Sequence, residues 1–397
     1  MTLITLSYTL DFKVPMDEVE HMKIYNKVLT IIIVLFFIGI SAANILAKDL
    51  EFSETENRIL KKVPKFSWKS LKSGKFSKDF EEYVVDQFAF RDYWVSLKSE
   101  SQVLLQRKDN KGVYLGKDGY LLQKPLPLNE NAIDTNIEAI NSFVKENNLI
   151  ITYFMPVPNS LKVLEDKLPP FANPYDQLEL IKDIKEKLNF KINFVEVYEE
   201  LYSHKEEYIY YKTDHHWTSL GAYYGYRTLA KVLGVTPINL EEFKIQKVTE
   251  DFYGTLFSKG NYTSAKPDSI YLFNNKKSID YRVNYIDEDR VSNSLYELEH
   301  LGKKDKYSVF LDGNHALLTI NSNVGSGKKL LVIKDSYAHS LIPFLTNHYD
   351  EIHVIDLRYF NMSIKDYIRE NNLREVLILY NLMSFTEDNS IIKLKID

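Results

Sequence analysis

The sequence predicts an α/β fold, a mostly parallel sheet flanked by helices, with a β-rich insertion and an N-terminal transmembrane helix. Three observations carry this. From residue 149 to 379, short apolar runs rich in β-branched residues alternate with helix-length amphipathic segments, the rhythm of βαβ units with right-handed crossovers. Residues 236–325 break that rhythm with short strand-like pieces and turns, such as Tyr253-Gly254, Lys259-Gly260-Asn261 and Gly325-Ser326-Gly327. Twenty consecutive residues, 28–47, carry no charge, and a helix of that length spans about 30 Å, the hydrocarbon thickness of a bilayer.

Composition narrows the class. The chain has 397 residues, of which 45% are hydrophobic and 26% charged, ample for a buried core and unlike a disordered chain. The net charge of -5 gives no basic excess, so no nucleic-acid partner is expected. The absence of cysteine excludes a disulfide scaffold, a thiolate zinc site and a cysteine nucleophile. The 28 Tyr and 22 Phe suffice to line an aromatic groove, although most must simply pack.

Residues 1–27 read as a cytoplasmic tail. The 21 residues before Met22 have no helical period, and Met22-Lys23-Ile24-Tyr25-Asn26-Lys27 has the form of a signal n-region, so Met22 is an alternative start. Residues 28–47 then form a signal anchor. Ser41-Ala42-Ala43 offers a cleavage site, but twenty apolar residues exceed a usual signal core, which leaves a cleaved signal as the second reading. Lys13, Lys23 and Lys27 precede the span, and Lys48, Arg58, Lys61, Lys62 and Lys65 follow it. A plain count therefore favours the opposite orientation. The positive-inside rule weakens for long translocated domains, and Lys23 and Lys27 suit an n-region. The expected arrangement is a single-pass cell-membrane protein with most of the chain extracytoplasmic.

Residues 48–125 form a stalk and an N-terminal segment. Residues 48–75 are Lys-rich and polar. Residues 77–107 have helical spacing of Phe80, Tyr83, Val84, Phe88, Trp94, Leu97 and Leu104, and residues 113–122 read as a β-hairpin. Residues 126–397 form the main domain. Its expected strands are 149–155, 192–197, 330–333, 352–355 and 376–379. Its expected helices are 177–188, 218–233, 337–347 and 364–370. The β-rich insertion occupies about 236–325, and there is no internal repeat.

Two spots carry chemistry. In Thr213-Asp214-His215-His216-Trp217 two histidines stand beside an Asp. A carboxylate next to a histidine can fix its tautomer and stabilise its imidazolium, as a general base requires; Thr213 or Asp214 would also serve as an N-cap for the following helix. In residues 330–337, LLVIKDSY, a buried strand ends in Asp335-Ser336 and turns into a helix. A serine there sits where open α/β sheets bind ligands, beside free N–H groups of a helix start, and again a plain N-cap is the alternative.

Together the two blocks resemble the DHHW family, related to the alginate O-acetyltransferases and more broadly to SGNH hydrolases. The likeness extends to Glu56-Asn57-Arg58, Asp86-Gln87-Phe88 with Arg91, Gly116-Lys117-Asp118-Gly119-Tyr120, Phe252-Tyr253-Gly254 and Asp356-Leu357-Arg358-Tyr359-Phe360. The resemblance implies an SGNH-hydrolase-like, circularly permuted domain with Ser336, His216 and Asp214 as a catalytic triad and His215 at the free position. It makes Tyr337, His215, Trp217, Asn314 and Asn381 candidates for substrate or oxyanion contacts, the last two competing for the family's block Asn. Lys334 departs from the Gly that ordinary SGNH hydrolases carry before Asp-Ser. The implied activity is O-acetyl transfer to a cell-envelope or exported polysaccharide through an acyl-enzyme, with the donor supplied by a membrane-bound O-acyltransferase partner. A carbohydrate esterase, or a non-catalytic polysaccharide-binding protein on the same fold, remains the alternative. No cofactor and no metal are expected. Asp-His-His also occurs in DHH phosphoesterases, but those need further Asp motifs upstream, and three adjacent residues do not readily converge on one ion. His315, His339 and His353 read as surface or packing residues rather than ligands, and Lys303-Lys304-Asp305-Lys306 as a solvated loop.

Overall fold

The computed structural model describes residues 16–170 and 172–395. It divides into two compact units, the described part of residues 1–53 with 58–94, and residues 54–57 with 95–397. Residues 1–15 of the expected tail, including Lys13, lie outside the described residues.

In the first unit one helix among the described residues, Met16–Leu46, is long and apolar enough over His21–Leu46 to cross a membrane, and most of its apolar side chains from Met22 onward are exposed. It begins six residues before Met22, where no helical period was legible. An established helix extends through polar residues at little further cost, so its start need not show in the apolar pattern. The helical segment expected over 77–107 is two helices, Lys75–Asp86 and Arg91–Leu104. The break has a cause. Asp86 is buried and accepts from the Arg58 guanidinium and the Lys61 N–H, and Arg58 before all else holds its carboxyl down to about 2. Gln87 bonds the backbones of Leu50 and Lys61. The stalk contains a short helix, Trp68–Lys72, capped by the Ser67 hydroxyl.

The second unit is built on an eight-stranded mixed sheet. In chain order its strands are β1 (Ile151–Val157), β2 (Asn193–Phe194), β3 (Tyr281–Tyr285), β4 (Arg290–Ser292), β5 (Leu317–Ser322), β6 (Lys329–Lys334), β7 (Glu351–Ile355) and β8 (Glu375–Asn381). They lie in the order β4-β3-β5-β7-β6-β8-β1-β2. The run from β7 to β2 is parallel, while β5, β3 and β4 pair antiparallel at one edge. Residues 236–325 are therefore only partly an insertion. Phe243–Phe252 and Asp268–Asn275 form a separate antiparallel ribbon, but β3, β4 and β5 extend the main sheet.

The parallel strands are apolar on both faces, as helices on both sides require. Leu330 and Val332 of β6 pack with Tyr223, Tyr226 and Phe344, while Leu331 and Ile333 pack with Ile137, Ile140, Phe143 and Ile184. The helices Gln177–Lys187, Ser219–Val232 and Ile364–Glu370 begin after side-chain caps from Asp176, Thr218 and Ser363. A further helix, Glu130–Glu146, buries Ile133, Ile137, Ile140, Phe143 and Val144; that stripe is present in the sequence but was not read. The helix expected over 337–347 is a 3-10 turn, Ser336–Ser340, followed by Ile342–Leu345. Pro343 lacks the N–H that a continuous helix would need there. The expected hairpin lies in a small sheet where Val113–Leu115 pairs with Leu121–Gln123.

Gly221 shows how tightly the helix Ser219–Val232 is seated, since a methyl added there would stand 2.2 Å from the Ile209 carbonyl oxygen. Gly221→Ala is expected to destabilise the protein towards the upper end of the roughly 1–3 kcal/mol range of overpacking, whereas Gly302→Ala, with open space around it, leaves the denaturation midpoint almost unchanged.

Candidate active site

The Asp-His-His-Trp segment is a tight loop closed by an antiparallel bridge between Tyr210 and Trp217. Its base is Asp268, a buried carboxylate that accepts from the Lys212 N–H (2.9 Å), the Thr213 N–H (2.7 Å) and the Tyr208 hydroxyl (2.5 Å). Burial pushes its carboxyl up in spite of these donors.

Asp214 is 2% exposed and fully bonded. Its Oδ1 accepts from the His216 N–H (3.0 Å) and His216 Nδ1 (2.5 Å), and its Oδ2 from the Thr255 N–H (2.7 Å) and hydroxyl (2.9 Å). Burial alone would raise this carboxyl, but His215, His216 and the Thr255 N–H hold it well below the usual carboxylate range. An ionised Asp214 can only accept, so His216 carries its proton on Nδ1. Its Nε2 faces Ser336 Oγ at 2.7 Å. The imidazole is stacked on Tyr307, with centroids 3.8 Å apart and planes 10° from parallel.

Ser336 stands just past the carboxyl end of β6, where Lys334 is in register with Leu379 of β8. Asp335 caps the turn through the Tyr337 N–H (2.9 Å), and its Oδ2 accepts from Asn381 N–H (2.8 Å) and Nδ2 (2.6 Å). Asn159, just past the end of β1, donates to Asn381 Oδ1 and to the Tyr337 hydroxyl, both at 3.1 Å. Three aromatic residues stitch the serine turn to its surroundings. Trp217 Nε1 donates to the Tyr337 carbonyl (2.9 Å), the Tyr337 hydroxyl to the His215 carbonyl, and the Tyr307 hydroxyl to the Ser336 carbonyl (3.2 Å).

The structure thus brings together Asp214, His216 and Ser336, and it separates the other candidates. Trp217 and Tyr337 are fully buried and Asn381 is 3% exposed. These three brace the site, their side-chain polar groups bonded to protein atoms of the frame. His215 is half-buried. Its Nδ1 donates to the Thr255 hydroxyl (2.7 Å), which in turn donates to Asp214. Burial, then the neighbouring His216, lowers His215 to about 4. Asn314 is exposed, and its Oδ1 accepts from Lys334 Nζ (3.4 Å) and Arg358 Nη2 (3.2 Å). Lys334 is buried; Nζ also meets Asp356 (3.1 Å) and His339 Nε2 (2.7 Å). Burial lowers its ammonium against the pull of Asp356. His315, His339 and His353 are buried and bond Asp287, Lys334 and Tyr367, and His315 also offers a ligand atom within 4.8 Å of ones from Glu288 and Asp312.

Sequence reasoning gave no role to Tyr307, Thr255, Asp268, Asn159 or Arg358. The pieces Phe252-Tyr253-Gly254 and Asp356-Leu357-Arg358 pointed near two of them; Tyr307 had no signal. Asp214, His215 and His216 do offer ligand atoms within 4.8 Å of one another. Hydrogen bonds already occupy all of these except His215 Nε2.

The family model described as DHHW protein matches residues 128–355, more than half of the chain and including both the 214–217 loop and Ser336. The chain belongs to the DHHW family. A DHHW family protein from Eubacterium siraeum has a similar crystal structure, with 25% identity, a TM-score of 0.62, and coverage of 72% of this chain and 95% of that one. PatB1 of Bacillus cereus, solved with a sulfonyl adduct, is similar in fold at 23% identity and a TM-score of 0.59, covering 71% of this chain and 98% of that one. A search of curated proteins returns no match. Within this DHHW chain, Gly254 is the position that admits Asp214, because a methyl there would stand 2.3 Å from the Asp214 Cβ.

Two outcomes follow for the DHHW site. Gly254→Ala is expected to displace Asp214 and free His216 to rotate, read as lost reactivity of Ser336 towards a sulfonyl fluoride. The second concerns acid. A histidine whose folded value lies below its free value stabilises fully above the free value, 6.5 here, and that contribution is lost as pH falls towards the folded value. Asp214, depressed below 3.8, contributes nothing to the slope above pH 5. Between pH 7 and pH 5 the Tm should therefore lose less in His215→Gln than in the native protein.

Proposed function

We propose that this DHHW protein is a membrane-anchored, extracytoplasmic O-acetyltransferase acting on a cell-envelope or exported polysaccharide. The observation that carries the reading is the relay Asp214–His216–Ser336, with 2.5 Å on one side of the imidazole and 2.7 Å on the other. In the first half-reaction Ser336 Oγ attacks the acetyl carbonyl while His216 Nε2 takes its proton, and Asp214 stabilises the imidazolium. Collapse breaks the bond to the donor's leaving group, which takes that proton from His216. A sugar hydroxyl then gives its proton to His216 and attacks the acetyl-enzyme, and Ser336 leaves with the proton returned. Water in place of the sugar would make the same site an esterase.

Asn314 is our candidate for the oxyanion donor. Its amide oxygen is held by two cations, Lys334 and Arg358, which orients the amide N–H groups away from them and polarises them. For the acceptor, Tyr253 and Phe257 flank Thr255 with half-exposed rings 4.4 Å apart, an aromatic surface suited to a sugar face. In this reading the domain is of SGNH type, circularly permuted so that the Asp-His loop precedes the serine. Residues 28–47 anchor it, 1–27 lie in the cytoplasm, 48–125 connect, and 126–397 catalyse. A membrane-bound O-acyltransferase would supply the donor.

The test is Ser336→Ala. Losing one hydroxyl leaves the fold intact, since Asp335 supplies the cap of this turn and a lost hydrogen bond costs about 0.5–1.5 kcal/mol. Acetyl adducts on the protein and acetyl transfer to the polysaccharide should both fall by at least about 10³-fold. His216→Ala should do the same, and His215→Ala should leave measurable transfer. An acetyl adduct on the alanine variant, read by mass spectrometry, would rule the mechanism out. Acetate released without polysaccharide acetylation would convert the transferase into the esterase.

A further inference from the structure

The Lys-rich stalk is more than a spacer. Residues 61–78 carry seven lysines and no Asp or Glu. Lys61 pairs with Glu82 and Lys62 with Glu51, while Lys65, Lys69, Lys72, Lys75 and Lys78 have no ion pair among the described residues. Between these lysines runs a ladder of aromatic rings: Trp68 on Phe66 (5.4 Å), Phe66 on Phe76 (5.3 Å), Phe76 on Phe80 (5.9 Å) and Phe80 on Tyr83 (6.0 Å). The rings are not hidden; Trp68 is 71% and Phe66 57% exposed.

The same unit ties this surface to the apolar helix. The Ala89 N–H donates to Asn44 Oδ1 (2.9 Å) in the helix's last turn, and Gln87 brackets Leu50 just beyond it. Phe88 and Phe90, on either side of Ala89, therefore stand at the level where the helix ends. Phe90 is 69% exposed and has a φ of 60°, a left-handed backbone that a bulky residue adopts only under constraint. Exposed aromatic rings and unpaired lysines at the end of an apolar helix are what a bilayer interface selects: rings at the boundary of the acyl chains, ammonium groups on lipid phosphates.

We propose that this face, from Phe66 to Phe90, lies in the headgroup layer of an anionic bilayer, so that the protein is seated on the membrane by a surface as well as by its helix. The inference rests on the anchoring helix proposed above.

Because the chain has no cysteine, single nitroxide labels can be placed on the full-length protein in nanodiscs of phosphatidylcholine with or without phosphatidylglycerol. Labels at Trp68→Cys and Phe90→Cys are expected to collide with oxygen and to lose collisions with a water-borne Ni(II) chelate in the anionic discs. Lys→Gln at positions 65, 69, 72, 75 and 78 together should restore the Ni(II) collisions at Trp68→Cys. A label at Phe36→Cys reports the helix itself. Protection at Phe36 with full Ni(II) access at Trp68 and Phe90 overturns the seated surface and leaves it to a protein partner, with the anchor intact. Access at Phe36 as well defeats the anchor and the inference with it. Protection that ignores phosphatidylglycerol, or survives the five glutamines, overturns the recognition of headgroup charge.

Discussion

A buried carboxylate has to be surrounded by donors before the chain can fold over it, and Asp214 sets that requirement for the whole site. Its oxygens take four hydrogen bonds, two from His216 and two from Thr255. Leaving any of these unmade inside the protein costs far more than a typical exposed contact is worth. The demand fixes several features at once. Residue 254 must be glycine to let the backbone approach, the ribbon strand Phe243–Phe252 must end there, and His216 must present Nε2 outward. Asp268 repeats the device one layer down, holding Thr213 so that the residue after it points inward.

The serine side is built by a different logic. The parallel strands β1, β6 and β8 end side by side, and each hands over to a polar residue: Asn159, Asp335 and Asn381. These three form one buried network with Tyr337 and Gln177. A half-satisfied network of this kind would be worse than an apolar one, and a complete one is rigid. Ser336 follows directly on that network, so its hydroxyl position is inherited from the sheet. The aromatic stitches from Trp217, Tyr337 and Tyr307 then join the serine turn to the histidine loop, 120 residues apart in sequence. Catalytic geometry of this sort depends on a rigid supporting shell more than on the reacting residues themselves.

How much of this was legible follows from the kind of signal each feature leaves. The strands of the parallel core, the capped helices and the apolar span are written in local periodicity, and they were read to within a few residues. The meeting of Asp214, His216 and Ser336 was legible because each stands in unusual company, two histidines beside an Asp and a serine at a strand end. Features decided by long-range contacts were not. The frame bonds of Trp217, Tyr337 and Asn381 left no trace in the sequence, since an indole or an amide looks the same there whatever it bonds. Strands β3 to β5 look like part of an insertion in the sequence because antiparallel edge pairing is set by partners far along the chain. The helix Glu130–Glu146 was the exception, a readable stripe left unread.

The loop bearing Asn314 carries the structure's sharpest backbone strain near the site. Leu311, Asp312 and Gly313 have φ values of 54°, 60° and 80°, and for leucine that region is an outlier. Such a conformation persists only where the surroundings over-determine it. Here they do. Asp312 is gripped by Arg290 and His300, the Leu311 side chain is buried in the main core, and the Asn314 oxygen is drawn to Lys334 and Arg358. Lys334 and Arg358 meet on one carboxylate, Asp356, which has no exposure at all. Lys334 and Arg358 thus share one buried anion, and the Asn314 amide oxygen accepts from both. Lys334, directly before Asp335-Ser336, is thereby accommodated in the buried sheet end: its ammonium finds a carboxylate, an imidazole and an amide oxygen as partners.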